Sequence, residues 1–231
     1  FAFTAVYLLL YPGLGSFPGV LGWTSTNQLE REEQKADARY SEIFGTYSEM
    51  SIEDVAQDPK ALKMGVRLFA NNCAVCHGAD GGGNLGFPNL TDKDWLYGGT
   101  PEKIKESIQH GRSGQMPAWG AILGEEKIAQ ISEYVLSLGG REHNAQSAAV
   151  GQTLYAQSCV ACHAADGTGS ELVGAPNLTD DVWLYDGSPV GIRQSLRQGR
   201  TGMMPAQKDM LREDKIHLLA AYVYNLSLDY E

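Results

Sequence analysis

The sequence predicts an all-α fold in two tandem lobes behind an apolar N-terminal arm, and three observations carry that reading. Ile128, Ile131, Val135 and Leu138 recur at i, i+3, i+7 and i+10, and the stripe returns as Ile216, Leu219, Val223 and Leu226. That spacing sets four apolar side chains on one helical face. No alternating apolar–polar run of strand type accompanies them. The second half of the chain also repeats the first, so the helical pattern occurs twice.

The arm comes first. Residues 1–11 are almost wholly apolar, and Pro12, Gly13, Gly15, Pro18 and Gly19 stop any helix there. Eleven residues are fewer than the ~20 a helix needs to cross a hydrocarbon core. The segment (1–24) therefore reads as the outgoing end of a transmembrane helix plus its exit loop, with Tyr7, Tyr11 and Trp23 at the interface. The alternative is a hydrophobic arm packed on a domain. No charge occurs before Glu30, and the flank that follows is acidic, which places it away from the cytoplasm. Residues 25–59 then form a polar, acidic connector. Leu29, Ala36, Tyr40, Ile43, Phe44 and Tyr47 sit there at loosely helical spacing, and the segment reads as a solvated helix without chemistry.

The repeat fills the rest, as lobes 60–140 and 141–231. Gly65, Phe69, Cys73, Cys76 and His77 return 86 positions later as Gly151, Tyr155, Cys159, Cys162 and His163. Past the histidine the offset is 88, through a two-residue insertion. Pro88-Asn89-Leu90-Thr91 matches Pro176-Asn177-Leu178-Thr179, Trp95 matches Trp183, and Met116-Pro117 matches Met204-Pro205. In each lobe one helix leads into the cysteines, beginning in the first at Asp58-Pro59. A second helix opens at Thr100-Pro101 or Ser188-Pro189, and the striped helix closes the lobe. Three short helices make a thin core for about 85 residues, and a large apolar group at its centre would supply what is missing.

Composition narrows the function. The 231 residues carry 18 Lys+Arg against 28 Asp+Glu, a net charge of −10, which argues against nucleic-acid binding. A hydrophobic fraction of 43% excludes a disordered chain, and four cysteines are too few for a disulfide-built miniprotein. An acidic surface favours basic protein partners, with docking that weakens as salt rises.

Cys73-Ala-Val-Cys76-His77 and Cys159-Val-Ala-Cys162-His163 are both C-x-x-C-H, the pattern of c-type haem attachment. Cysteines three apart on one turn can form thioethers to both haem vinyl groups, with the adjacent histidine facing the iron. A thioredoxin-like pair would need a βαβ setting. A four-cysteine zinc site has its pairs about 15–20 residues apart. Neither explains the histidines. Two covalently bound haem c groups are expected, with His77 and His163 as axial ligands.

Met116 and Met204 are the candidates for the opposite axial position. Each recurs at the repeat offset, in a glycine-containing loop and before a proline. Met203 competes with Met204, but its counterpart is Gln115, so the repeat favours Met204. His110, His143 and His217 do not recur and read as surface or core residues. Histidine–methionine ligation closes both axial positions and suits one-electron transfer rather than catalysis. Pro88 and Pro176 are placed to accept a hydrogen bond from the ligand histidines. Arg112 and Arg200 are candidates for haem propionates or, equally, surface residues. Trp95 and Trp183 are candidates for the haem wall or for donors to a propionate.

Together, the arm with Tyr11-Pro12-Gly13, the acidic connector, and two C-x-x-C-H lobes sharing Pro-Asn-Leu-Thr, Trp-Leu-Tyr and Met-Pro resemble the dihaem subunit III of cbb3-type cytochrome c oxidases. The likeness covers essentially the whole chain. It implies two class I cytochrome c domains anchored in the bacterial inner membrane, with the haems on the periplasmic side. It implies relay of electrons from a donor cytochrome c, through a monohaem subunit, to the haem–copper subunit that reduces oxygen. By position, Cys73, Cys76, His77 and Met116 would hold the first haem, and Cys159, Cys162, His163 and Met204 the second. The competing functions are a stand-alone dihaem carrier similar to c4-type cytochromes, and a dihaem peroxidase, which would need one open iron.

Overall fold

The structure, a computed structural model, describes residues 1–13 and 17–228. It divides into two compact units, Phe1–Glu49 and Met50–Glu231.

In the first unit, α1 (Ala2–Leu10) ends where Tyr11 turns extended. The chain then doubles back, and Val20 and Leu21 donate backbone hydrogen bonds to the carbonyls of Leu9 and Leu10 at 2.9 and 3.0 Å. Phe3, Tyr7 and Tyr11 stack in sequence, and Trp23 meets Tyr11 edge-on at 5.8 Å. An i, i+4 aromatic ladder of this kind lies on one helix face. Among the described residues no helix is long and apolar enough to cross a membrane. Thr24 caps α2 (Ser25–Ser48) by accepting from the Asn27 amide, and Leu29, Tyr40 and Ile43 of that helix are exposed.

The second unit opens with α3 (Ile52–Val55). From the first repeat come α4 (Pro59–Asn72), α5 (Ala74–His77), α6 (Pro101–His110), β1 (Arg112–Met116) and α7 (Gly120–Leu138). From the second come α8 (Ala145–Ser158), α9 (Val160–His163), α10 (Pro189–Gln198), β2 (Arg200–Met204) and α11 (Glu213–Leu228). Local chemistry sets the starts. Asp58, Thr100, Asn144 and Ser188 each accept a backbone amide as N-cap, and proline occupies the first turn of α4, α6 and α10.

The repeats do not pack as two self-contained lobes. They exchange their last helices: α11 packs on α3, α4 and α6, whereas α7 packs on α8 and α10. Each crossing is marked by a glycine. A Cβ on Gly65 of α4 would come within 2.5 Å of Tyr222 Cβ on α11. One on Gly151 of α8 would strike the Gln130 carbonyl and Tyr134 of α7. Beside the glycines, Phe69 packs on Tyr222 and Tyr155 on Tyr134, with ring centroids 5.4 and 5.1 Å apart. Phe69 and Tyr155 are fully buried, worth about 1.5–3 kcal/mol each by area. Each packing core therefore draws on both copies of the repeat.

The link between the cores corrects a strictly all-α expectation. β1 and β2 pair antiparallel into a two-stranded ribbon, with Arg112 opposite Met204, Gly114 opposite Gly202 and Met116 opposite Arg200. Arg-Ser-Gly-Gln-Met has no β-branched or aromatic residue, and its partner lies in the other repeat. A local search for alternation cannot find such a strand.

Candidate functional site

Each C-x-x-C-H sits at a break between two helices. Cys73 closes α4 by donating its amide to Phe69, and its carbonyl accepts from both Cys76 and His77, at 3.1 and 3.0 Å. Cys159 repeats this with Tyr155, Cys162 and His163. One turn thus carries two thiols and an imidazole, and all four cysteines are free of disulfides. Burial, reinforced by the neighbouring Cys76, pushes the Cys73 thiol up to about 11. Burial and Cys162 do the same to Cys159, also to about 11. The groups are neutral thiols at physiological pH.

The histidines are oriented from behind. His77 Nδ1 donates to the Pro88 carbonyl at 3.0 Å, and His163 Nδ1 to the Pro176 carbonyl at 3.2 Å. That fixes the tautomer and leaves Nε2 with its lone pair free for a metal. Burial holds His163 below its usual pKa, with the Pro176 carbonyl opposing. The Pro-Asn-Leu-Thr phrase explains how the carbonyl is aimed. Asn89 Oδ1 accepts from both the amide and the hydroxyl of Thr91, at 2.9 and 2.8 Å. Asn177 does the same with Thr179. Such Asx turns fix the backbone just after the proline.

The methionines and arginines share one face of the ribbon. Arg112, Gly114 and Met116 are half-buried and alternate with exposed Ser113 and Gln115. On β2, Arg200 and Met204 are half-buried, whereas Met203 is 78% exposed. Directly opposed residues lie on the same side of a ribbon, so each end pairs an arginine with a methionine of the other repeat. Arg112 donates to Ser107 Oγ at 2.8 Å and Glu106 at 3.0 Å, and stacks over Tyr97 at 5.0 Å. Arg200 donates to Ser195 Oγ at 2.9 Å and stacks over Tyr185 at 4.2 Å. The supports Ser107, Ser195, Tyr97 and Tyr185 were not singled out as functional by sequence. Their recurrence at the offset of 88 was the available signal.

Trp95 lines a cleft of about 340 Å³ together with Gly99, Thr168, Ala175 and Pro176. Trp183 packs against the core of Ile192, Leu196 and Cys159. The Trp183 indole Nε1 and the Arg112 Nη2 are buried donors without a partner among the described residues. Buried, unsatisfied donors such as these fit the propionates of a haem, since such groups cost about 1–3 kcal/mol when left unpaired. Among the other histidines, His110 and His143 are exposed, and His217 is buried with Nε2 donating to the Met50 carbonyl at 3.1 Å.

Comparison with known proteins agrees with this chemistry. The family described as cytochrome c oxidase, cbb3-type, subunit III matches residues 60–135 and again 146–223. A cbb3-type cytochrome c oxidase subunit CcoP from Rubrivivax gelatinosus is 48% identical over 227 residues, covering 98% of this chain and 74% of the relative. The CcoP of Cereibacter sphaeroides is 36% identical, covering 95% and 82%, and the FixP of Azorhizobium caulinodans 38%, covering 90% and 75%. A haem c-binding chemistry, a duplicated C-x-x-C-H scaffold and matches spanning nearly the whole sequence converge, and the chain belongs to the subunit III family of cbb3-type cytochrome c oxidases.

Proposed function

We propose that the chain carries two covalently bound haem c groups and relays single electrons from a donor cytochrome c toward an oxidase's haem–copper subunit, by way of a monohaem subunit. It performs no catalysis of its own. Its haem-bearing part lies on the periplasmic side of the bacterial inner membrane, with the N-terminal arm as part of the anchor. The single observation that carries this reading is the duplicated turn in which two thiols and a histidine share one face, the histidine tied by Nδ1 to a proline carbonyl. Haem iron held by imidazole and thioether exchanges electrons without an open position for oxygen or peroxide. Cys73, Cys76, Cys159 and Cys162 would attach the groups, His77, His163, Met116 and Met204 would ligate them, Arg112 would neutralise a propionate and the Trp183 indole would donate a hydrogen bond to one. Arg200, placed like Arg112, takes the same role at the other end of the ribbon.

Purification of the full-length protein in mild detergent tests this. Haem staining of the denatured chain, a mass increment of two haems, and co-migration with haem b and copper are expected. A chain that stains but migrates alone, and whose deletion leaves respiratory oxygen reduction intact, would make it a stand-alone carrier. A stain-free chain would end the haem reading altogether.

A further inference from the structure

We infer that Tyr97 and Tyr185 are positioning residues that tie the two C-x-x-C-H sites together: each holds the arginine of its own repeat and is itself seated on the loop that orients the other repeat's histidine. This rests on the two-haem reading above and adds to it a route by which a change at one site reaches the reduction potential of the other.

Each arginine is held on two sides. Arg112 Nε donates to Ser107 Oγ at 2.8 Å, and its guanidinium lies 5.0 Å from the centre of the Tyr97 ring. Arg200 Nε donates to Ser195 Oγ at 2.9 Å, with its guanidinium 4.2 Å from the centre of the Tyr185 ring. An aromatic face attracts a guanidinium and, being flat, fixes its plane as well as its place. Ser107, Tyr97 and Glu106, which takes Nη1 at 3.0 Å, thus set where the buried, unpartnered Nη2 of Arg112 points.

The tyrosines in turn rest on glycines of the opposite repeat. A Cβ on Gly174 would strike the ring and hydroxyl of Tyr97, and one on Gly86 would come within 3.3 Å of Tyr185 Cε1. Gly86 also donates its amide to the carbonyl of Leu184, next to Tyr185, at 2.8 Å. Both glycines sit in short hairpins with positive φ, 83° at Gly86 and 66° at Gly174. Asn84 and Phe87 exchange backbone hydrogen bonds at 3.1 and 2.7 Å around Gly86, and Ser170 and Ala175 do so at 2.9 and 3.0 Å around Gly174. Two residues beyond the glycines stand Pro88 and Pro176, whose carbonyls accept from Nδ1 of His77 and His163. Packed contacts therefore run from the support of His163 through Gly174 and Tyr97 to Arg112. Their counterpart runs from the support of His77 through Gly86 and Tyr185 to Arg200. Contiguous packing of this kind can carry energetic coupling between sites.

Potentiometric titration of the holo-protein tests this without assigning either component to a haem. A positive charge nearby favours the reduced iron, so an arginine that loses its support lets the potential fall. Tyr97→Leu is expected to lower one of the two one-electron components and Tyr185→Leu the other, whereas Tyr97→Phe, which keeps the ring, is expected to match the wild type. Arg112→Lys keeps the charge without the plane. It is expected to lower the same component as Tyr97→Leu, and the double variant to lower it no further than the larger single shift. Gly174→Ala is expected to lower the Tyr97 component and Gly86→Ala the Tyr185 component, each across the repeats. A glycine variant that leaves the opposite repeat's component in place, additive shifts in the double variant, or a Tyr97→Phe shift equal to that of Tyr97→Leu overturns the inference. Haem staining and a two-haem mass of the same samples report separately on the underlying haem reading. If the glycine variants do not fold, the unmodified reduced protein decides by NMR: cross-peaks from the Tyr97 ring to the Gly174 α-protons are expected, and their absence overturns the tie.

Discussion

Arg112 and Met204, which belong to different copies of the internal repeat, face each other directly across the β1–β2 ribbon. Their half-buried side shares Met116 and Arg200, while Met203 points to solvent at 78% exposure. Met203→Leu is therefore expected to leave the red methionine–iron charge-transfer band of the ferric protein at full amplitude. Met204→Leu is expected to halve it. Equal losses in the two variants would show that the strand's alternation does not select the ligand.

The helix crossings predict a graded response to one added methyl. Gly65→Ala drives a Cβ into Tyr222, a side chain that can yield, whereas Gly151→Ala meets the Gln130 backbone carbonyl. Overpacking costs about 1–3 kcal/mol. Gly65→Ala is expected near the lower end of that range and Gly151→Ala at or above its upper end, read from denaturant midpoints of the holo-protein. An order reversed between the two would contradict the crossing geometry.

Ala164 holds φ 62° and ψ 166° just after His163, where the first repeat has Gly78 at φ 80°. This region is essentially reserved for glycine and costs other residues about 1–3 kcal/mol. Ala164→Gly is expected to raise stability by about 1 kcal/mol, after the added freedom of the unfolded glycine is subtracted. Gly78→Ala is expected to lower it by a similar amount. Thermal unfolding of both variants would check the pair, and a destabilising Ala164→Gly would refute the strain.

His217 gives the protein a pH-sensitive joint. Burial lowers its pKa, nearby Lys105 on α6 lowers it further, and the Met50 carbonyl and Glu213 oppose. The folded state thus binds this proton less readily than the unfolded chain, whose histidine titrates near 6.5. The stabilisation is complete above about that pH and is lost as the pH falls through the lower folded value. Between pH 7 and pH 5 the wild-type Tm is expected to drop more than that of His217→Gln, which retains a donor for the Met50 carbonyl. Parallel curves for the two proteins would rule this contribution out.

Much of the site was legible because its chemistry is local. Cys73, Cys76 and His77 are one turn, the N-caps precede their helices, and the buried stripe of Ile128, Ile131 and Val135 is the helical period itself. The exchange of α7 and α11 was not, and the reason is degeneracy. Tyr134 and Tyr222 are equivalent positions, so either could pack against Gly65 or Gly151. The polar pairs are no more selective. Glu125 bonds Arg197 at 2.8 Å and Glu213 bonds Gln109 at 3.2 Å, again at equivalent positions. A duplicated sequence specifies the type of each contact without naming the copy that makes it. The ribbon was hidden for the same reason, since each strand's partner is its own duplicate.

The trading of final helices also sets an order of events while the polypeptide is being made. Residues 50–111 are made before the rest of the second unit, yet the helix that closes over them is α11, Glu213–Leu228. Until it arrives, Gly65 and Phe69 lack their cover, so within this unit the part made first is finished last. A stop placed before Glu213 would strip the cover from α3, α4 and α6 and spare the packing of α7 on α8 and α10.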